Sequence, residues 1–361
     1  MTQSARFSVT YRIRSDAASI EARAQAIAVE QSVEMPVAAI AEPEILRDIV
    51  GEVEAIEARG EGVYDARIAL AVATTGLEAG QFLNMVYGNT SLHDDVLLLD
   101  VTVPPEIAAA CGGPRHGTEG LRQRAGAHGR ALTCSALKPQ GVAPARLAEL
   151  AAQFARGGID FVKDDHGLAD QAYSRFAARV AAISGAVGRT RYVPSLSGHL
   201  DTMRRQIDTA RSCGIDTVLI APMIAGWPTM QALVRQYPDV AFIAHPTMGG
   251  AARIAPDLLI GTLFRLLGAD AVIFPNHGGR FGYTQATCRR LAERARQPWD
   301  GVRPSLPVPA GGMTLERVPE MLDFYGPDAM LLIGGSLLAA RERLADETAC
   351  FTTAVARHNY R

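Results

Sequence analysis

The sequence predicts an α/β protein: a C-terminal (β/α)8 TIM barrel behind an N-terminal α+β domain of the ferredoxin-like, split-βαβ type. Three observations carry this prediction. From residue 130 onward, apolar runs of strand length recur about every 25 to 30 residues, the length of one βα unit. Helix-prone segments fill the spaces between them. The first ~105 residues instead run strand, helix, two strands, helix, strand, the order of a split-βαβ sheet. A doubly wound open sheet competes for the second part, but it seldom runs to eight regular units. No GxGxxG follows the first run either.

In the first part, residues 5–14 alternate polar and apolar as a strand does. Residues 19–30 are Ala-rich and helical in character, and 51–72 read as a hairpin turning near Arg59-Gly60-Glu61-Gly62. A helix is expected over 80–87 and a further apolar strand over 96–103. Pro104-Pro105 and the Cys111-Gly112-Gly113-Pro114 loop punctuate the chain. The domain boundary is placed there, giving domains 1–110 and 111–361. The barrel strands are expected at 131–137, 159–163, 192–196, 217–221, 240–244, 271–274, 306–309 and 330–333. Intervening helices include 144–156, 170–183, 200–212 and 230–237. Pro144 suits a first helical position, where its missing N–H costs nothing.

With 361 residues, 48% hydrophobic and 20% charged, the chain is ordinary for a globular protein of two domains. A formal net charge of -2 gives no electrostatic footprint for nucleic acid or an anionic membrane. No uncharged apolar stretch approaches the ~20 residues a membrane span needs. Residues 1–11 lack a basic flank followed by an apolar core, so no leader is expected and the location is read as cytoplasmic. The five cysteines are scattered without a CxxC pair, which fits a reducing compartment.

Barrel enzymes carry their chemistry at the C-terminal ends of the strands. The first run ends in Lys138-Pro139 and the second in Lys163-Asp164-Asp165-His166. A period of two turns Asp164 away from the face shared by Lys163 and Asp165. A lysine beside carboxylates at a strand end reads as a divalent-cation site, above all if the lysine is carbamylated and becomes an oxygen ligand. A solvated charge cluster whose aspartate caps the next helix is the competing reading. Other runs end at His199, at His245-Pro246, and at Pro275-Asn276-His277-Gly278-Gly279-Arg280. The last two end in Gly311-Gly312 and Gly334-Gly335. Glycine pairs let backbone N–H groups approach a phosphate closely, and phosphate sites after strands seven and eight are common in this architecture. Arg280 balances phosphate charge or is a solvated loop residue. His93, His116, His128 and His358 lack such placement and read as structural or solvated.

These residues match a known pattern. The run Gly157-Gly158-Ile159-Asp160-Phe161-Val162-Lys163-Asp164-Asp165 resembles the metal-binding signature of ribulose-1,5-bisphosphate carboxylase (RuBisCO) and its relatives. Leu137-Lys138-Pro139 looks like that family's strand-one segment with its catalytic lysine. Glu30 and Gly88-Asn89 look like active-site residues given to the partner subunit. Pro309-Ala310-Gly311-Gly312 and Ile333-Gly334-Gly335 resemble its phosphate-gripping strands. The departures point away from carboxylation. His166 stands where the carboxylases end the signature with glutamate, and Gln140 replaces the second lysine. Pro246 replaces the arginine after the strand-five histidine, Ala310 replaces a serine, and the loop after strand six lacks its lysine.

The resemblance thus implies a RuBisCO-like protein that enolises a ketose phosphate without fixing carbon dioxide. The isomerase branch, acting on 5-methylthioribulose 1-phosphate in methionine salvage, is the best match. Enolisation of a diketo sugar-phosphate analogue and decarboxylation of a β-keto acid sugar are alternatives, and a sugar-phosphate sensor is the non-enzymatic one. The resemblance implies Mg²⁺ anchored by Asp165, with carbamylated Lys163 supplying either a metal ligand or the base. His166 either completes the coordination or donates only outer hydrogen bonds. Lys138 relays a proton, His245 contacts substrate, and Glu30 and Asn89 reach the site of the other subunit in a homodimer.

Overall fold

The computed structural model describes residues 5–360, so the first four residues of the segment read for a leader lie outside it. The chain divides into two compact units. One runs up to Gly112 and also takes in Gly249–Leu259 and Asp300–Val302; the other comprises Gly113–Met248, Ile260–Trp299 and the chain from Arg303 onward.

The first unit carries strands β1 (Arg6–Arg14), β2 (Glu52–Gly60), β3 (Val63–Ala71) and β4 (Val96–Val101). They form one antiparallel sheet in the order β2-β3-β1-β4, the arrangement expected of a split βαβ unit. Strict alternation along β1 buries Phe7, Val9, Tyr11 and Ile13. Phe7 meets Phe82 of the helix Ala79–Tyr87 with ring centroids 5.6 Å apart, and the Tyr11 hydroxyl donates to the Val86 carbonyl at 2.5 Å. The helix Ile20–Glu30 buries Ile20, Ala24, Ile27 and Ala28 on one stripe, the 3.6-residue spacing of an amphipathic helix. β4 ends at Val101, two residues short of the expected 103 and ahead of Pro104-Pro105.

The second unit is built from eight parallel strands. They are β5 (Leu132–Leu137), β6 (Phe161–Asp164), β7 (Arg191–Val193), β8 (Thr217–Ile220), β9 (Ala241–Ala244), β10 (Ala271–Pro275), β11 (Leu306–Ala310) and β12 (Met330–Leu332). Hydrogen-bonded ladders give the orders β12-β5-β6-β7 and β8-β9-β10-β11. A parallel bridge between Ser195 and Leu219 joins β7 to β8, and β11 lies beside β12, which closes the ring. One buried apolar cluster fills the interior. It includes Leu132 and Cys134 of β5, Phe161 of β6, Ala241 and Ile243 of β9, and Val308 of β11.

The helices Pro144–Arg156 and Leu200–Ser212 stand where the sequence puts them, with Pro144 at the first helical position. Two others start elsewhere than expected. The helix expected over 170–183 begins only at Phe176 and runs to Ser184. Residues ahead of it are committed to other bonds: the Asp170 carboxylate accepts the Phe176 N–H at 2.7 Å, and the Gln171 side chain bonds Ala169 N and Gly167 O. The helix expected from 230 instead starts at Trp227, behind Gly226 at φ 90. Among the described residues, no helix is long and apolar enough to cross a membrane.

Candidate active site

Strand parity selects the side chains that reach the rim. Phe161 lies in the barrel interior, so Lys163, two residues on, faces inward one layer nearer the strand's C-terminal end. By the same period, Leu132 and Cys134 lead through Ala136 to Lys138, and Ala241 and Ile243 lead to His245. Three strands thus deliver two lysines and a histidine to one inner surface. Asp164 has the opposite parity. Buried at 0% exposure, it accepts from Arg179 Nε at 3.0 Å, the Tyr192 hydroxyl at 2.7 Å and Ser195 N–H at 3.0 Å. Burial raises its carboxyl pKa and those donors oppose the rise. Arg179 also binds the carbonyls of Ala169 and Ser174, tying down the loop that follows His166.

Asp165, just past the end of β6, holds the centre. Its Oδ2 lies 2.5 Å from Lys138 Nζ, and its Oδ1 accepts the Gly167 N–H at 3.0 Å. Burial pushes the carboxyl up, but Lys138 and the Gly167 N–H outweigh it and hold the group at about 2. Lys163 is buried and donates to the Asp164 carbonyl at 2.8 Å. Burial lowers its pKa from the ordinary lysine value, against the pull of Cys134 and the two aspartates. The His166 ring lies flat on that of His245, with centroids 4.6 Å apart and planes at 9°. Burial lowers both imidazoles, with the nearby lysines adding to it and Asp165 opposing, and takes His245 to about 2. The His245 ring is therefore neutral at physiological pH.

Loop contacts around this centre depend on missing side chains. A Cβ on Gly167 would fall 1.8 Å from Gln140 Nε2. A Cβ on Gly279 would fall 2.1 Å from the Gly311 carbonyl, and one on Gly312 would fall 2.6 Å from Gly279 Cα. The loops after β10 and β11 therefore touch backbone to backbone. Gly311 and Gly312 both adopt positive φ, at 81 and 78, and are partly or fully exposed. Gly335, exposed, opens a short helix after β12 directly behind Gly334. Arg280 is exposed with its guanidinium over Phe281, and its charge reaches His166.

Two rim histidines sit apart from the centre. His277 turns away to pack on Phe324 with centroids 4.8 Å apart, and is only 5% exposed. His199 is exposed at the start of the helix Leu200–Ser212, its Nε2 3.0 Å from the Thr202 hydroxyl. Cys134 and Cys288 are buried, and burial pushes the Cys134 thiol up to about 12.

In the first unit, Glu30 and Asn89 meet. The buried Gln31 side chain donates to the carbonyls of Asn84 and Met85 and accepts the Thr90 N–H at 3.1 Å. That stitches the end of one helix to the turn after the other. Asn89 Nδ2 then donates to Glu30 at 2.8 Å and to Glu34 at 3.1 Å. Sequence reasoning passed over Glu34, whose φ of 53 gives no sequence signal, and Thr247, which binds His245.

A barrel with paired lysines and carboxylates at its rim, glycine-gripped loops beyond and an antiparallel domain ahead defines the class. The chain belongs to the RuBisCO large-chain family. The family described as ribulose bisphosphate carboxylase large chain, catalytic domain, matches residues 117–341. The 5-methylthioribulose-1-phosphate isomerase of Rhodospirillum rubrum is 59% identical over 360 residues, covering 97% of this chain and 96% of that protein. The 2,3-diketo-5-methylthiopentyl-1-phosphate enolase of Geobacillus kaustophilus is 31% identical, over 82% of this chain and 78% of that one. The crystal structure of a RuBisCO-like protein from Rhodopseudomonas palustris superposes with a TM-score of 0.93 at 49% identity, covering 100% of both chains.

Proposed function

We propose that the protein isomerises a ketose monophosphate through an enediolate, with 5-methylthioribulose 1-phosphate as the substrate, and does not fix carbon dioxide. The observation that carries this is the convergence of Lys138, Lys163 and His245 at inward strand positions around Asp165. The similarity to the Rhodospirillum isomerase supports the choice of substrate.

Moving a proton between neighbouring carbons of a ketose needs a base, an acid and a stabilised oxygen. Lys138 Nζ, within hydrogen-bond reach of Asp165, takes the role of proton relay at the carbon beside the ketone. His245 binds substrate. Its Nδ1 lies within reach of the Thr247 hydroxyl and N–H, which leaves Nε2 for the substrate. The glycine pairs 311–312 and 334–335, with Arg280 alongside, take the phosphate through backbone N–H groups.

Among the described residues, no three His, Cys, Asp or Glu side chains converge closely enough to hold a metal ion. Lys163 supplies what is missing. Its lowered pKa favours the unprotonated amine that adds carbon dioxide, and a carbamate there would supply an oxygen donor in addition to Asp165. Carbamylated Lys163 and Asp165 would then hold Mg²⁺. When bound, it supplies a Lewis acid for the ketone oxygen.

Glu30 and Asn89 complete the site from the partner in a homodimer. The enolase reading, favoured by the similarity to the Geobacillus protein, uses the same residues and differs in the substrate. Lys163→Ala, and wild type stripped of carbon dioxide and metal, should both be silent. Full turnover in chelator without carbon dioxide would remove the metal from this account and leave Lys138 and a histidine as the acid–base pair.

A further inference from the structure

We infer that His166 is a positioning residue for His245, its ring serving as a stacking platform, and that it does not ligate the metal; this rests on the metal-dependent reading above. An imidazole attached at a strand end is free to rotate about its ring bond unless something fixes it. For His245 one constraint is the Thr247 side chain, with Oγ1 2.5 Å from Nδ1, together with the Thr247 N–H at 3.3 Å. That pair fixes the direction of Nδ1 and leaves Nε2 on the side away from Thr247. The second constraint is the face of His166, 4.6 Å away and within 9° of parallel. Together they set both the azimuth and the plane of the ring.

The contacts of His166 suit this role better than ligation. Its Nδ1 lies 3.4 Å from Asp165 Oδ1, beyond hydrogen-bond length. Asp165 Oδ1 is already occupied by the Gly167 N–H, and Oδ2 by Lys138. The His166 side chain is 45% exposed, with its ring stacked on that of His245. Oxygen donors suit Mg²⁺ better than imidazole does. The contact of His166 with His245 uses its flat ring.

Three variants separate platform from ligand. His166→Phe keeps a flat face without nitrogen, His166→Glu keeps a metal donor without a face, and His166→Ala keeps neither. Each would be compared by steady-state kinetics with 5-methylthioribulose 1-phosphate, and by Mn²⁺ binding with nitrogen couplings read by pulsed electron paramagnetic resonance. Platform predicts kcat/KM of His166→Phe within about three-fold of wild type. It predicts a KM for His166→Ala raised about ten-fold with a smaller change in kcat, the sign of lost substrate positioning. Mn²⁺ affinity should stay level in both, and no nitrogen coupling should vanish on going from wild type to His166→Phe.

The inference is overturned if a directly bound imidazole coupling disappears in His166→Phe, or if His166→Glu keeps wild-type kinetics while His166→Phe is as impaired as His166→Ala. Failure of the wild type to bind Mn²⁺, with or without carbon dioxide, would instead sink the metal reading. The ordering of the Phe and Ala variants would then decide the platform by itself.

Discussion

Lys138 Nζ and Asp165 Oδ2 lie 2.5 Å apart, an ion pair that joins the ends of adjacent strands β5 and β6. The same carboxylate is a prospective metal ligand, so the ammonium stands where a cation is to come. Replacing Lys138 with Met should therefore raise Mn²⁺ affinity at carbon dioxide saturation while abolishing turnover. Titration calorimetry on the variant tests this, and unchanged or weaker binding would mean that Lys138 does not compete for Asp165.

Asp164 carries a stability prediction of a different kind. It and Arg179 are both at 0% side-chain exposure, so removing one partner leaves a buried charge unpaired. Arg179→Met should cost about 3 to 5 kcal/mol in denaturant unfolding. Tyr192→Phe, which deletes one bond to the carboxylate, should cost about 1.5 to 3 kcal/mol. Losses below about half a kcal/mol, the scale of a surface substitution, would show that the cluster does not anchor the strand end.

His245 predicts how stability changes with pH. Its folded pKa, about 2, lies below the ordinary histidine value of 6.5. At pH 8 the ring is neutral folded or unfolded and contributes no pH term. As pH falls below 6.5, the unfolded chain takes up a proton that the folded one refuses, so stability is lost progressively toward the folded pKa. By pH 5 that penalty is on the order of 2 kcal/mol. His245→Gln lacks it, so the variant's melting temperature should gain on wild type between pH 8 and pH 5. A constant difference would contradict the depressed pKa.

Gly279 is predicted to tolerate no side chain, because its Cβ would fall 2.1 Å from a backbone carbonyl of the neighbouring loop. Gly279→Ala should raise the KM for a phosphorylated substrate by about ten-fold or more by parting the two loops. Gly282, three residues on, has open space around it. Gly282→Ala is the control and should leave KM in place.

A shared site predicts complementation. In a head-to-tail dimer, mixing Lys163→Ala with Asn89→Ala leaves one intact site in each mixed dimer. Equal amounts at full exchange should restore about a quarter of wild-type activity, since half the dimers are mixed and half their sites are whole. No recovery after verified exchange would place Glu30 and Asn89 outside the site.

Much of this was legible in the sequence because period and parity are local. Eight apolar runs placed eight strands, and counting by two from Phe161 or Ile243 sends Lys163 and His245 inward. The count fails at His277. By parity from Ile273 through Pro275 it continues inward, yet β10 ends at Pro275 and the loop turns the ring onto Phe324. The late start of the helix at Phe176 has the same origin, since Asp170 and Gln171 bind nearby backbone in place of extending the helix. Glu34 was invisible because its contact with Asn89 needs a left-handed backbone at a glutamate and a partner 55 residues away.

Phosphorus NMR in deuterated water reads the identity of the reaction. Enzyme with Mg²⁺ and bicarbonate would be given 5-methylthioribulose 1-phosphate and, separately, ribulose 1,5-bisphosphate. Isomerisation without carboxylation predicts a new monophosphate resonance from the first substrate, with deuterium entering the carbons flanking the ketone, and no carboxylation of the second. Inert 5-methylthioribulose 1-phosphate without deuterium uptake, or fixation of labelled bicarbonate onto the bisphosphate, would contradict it.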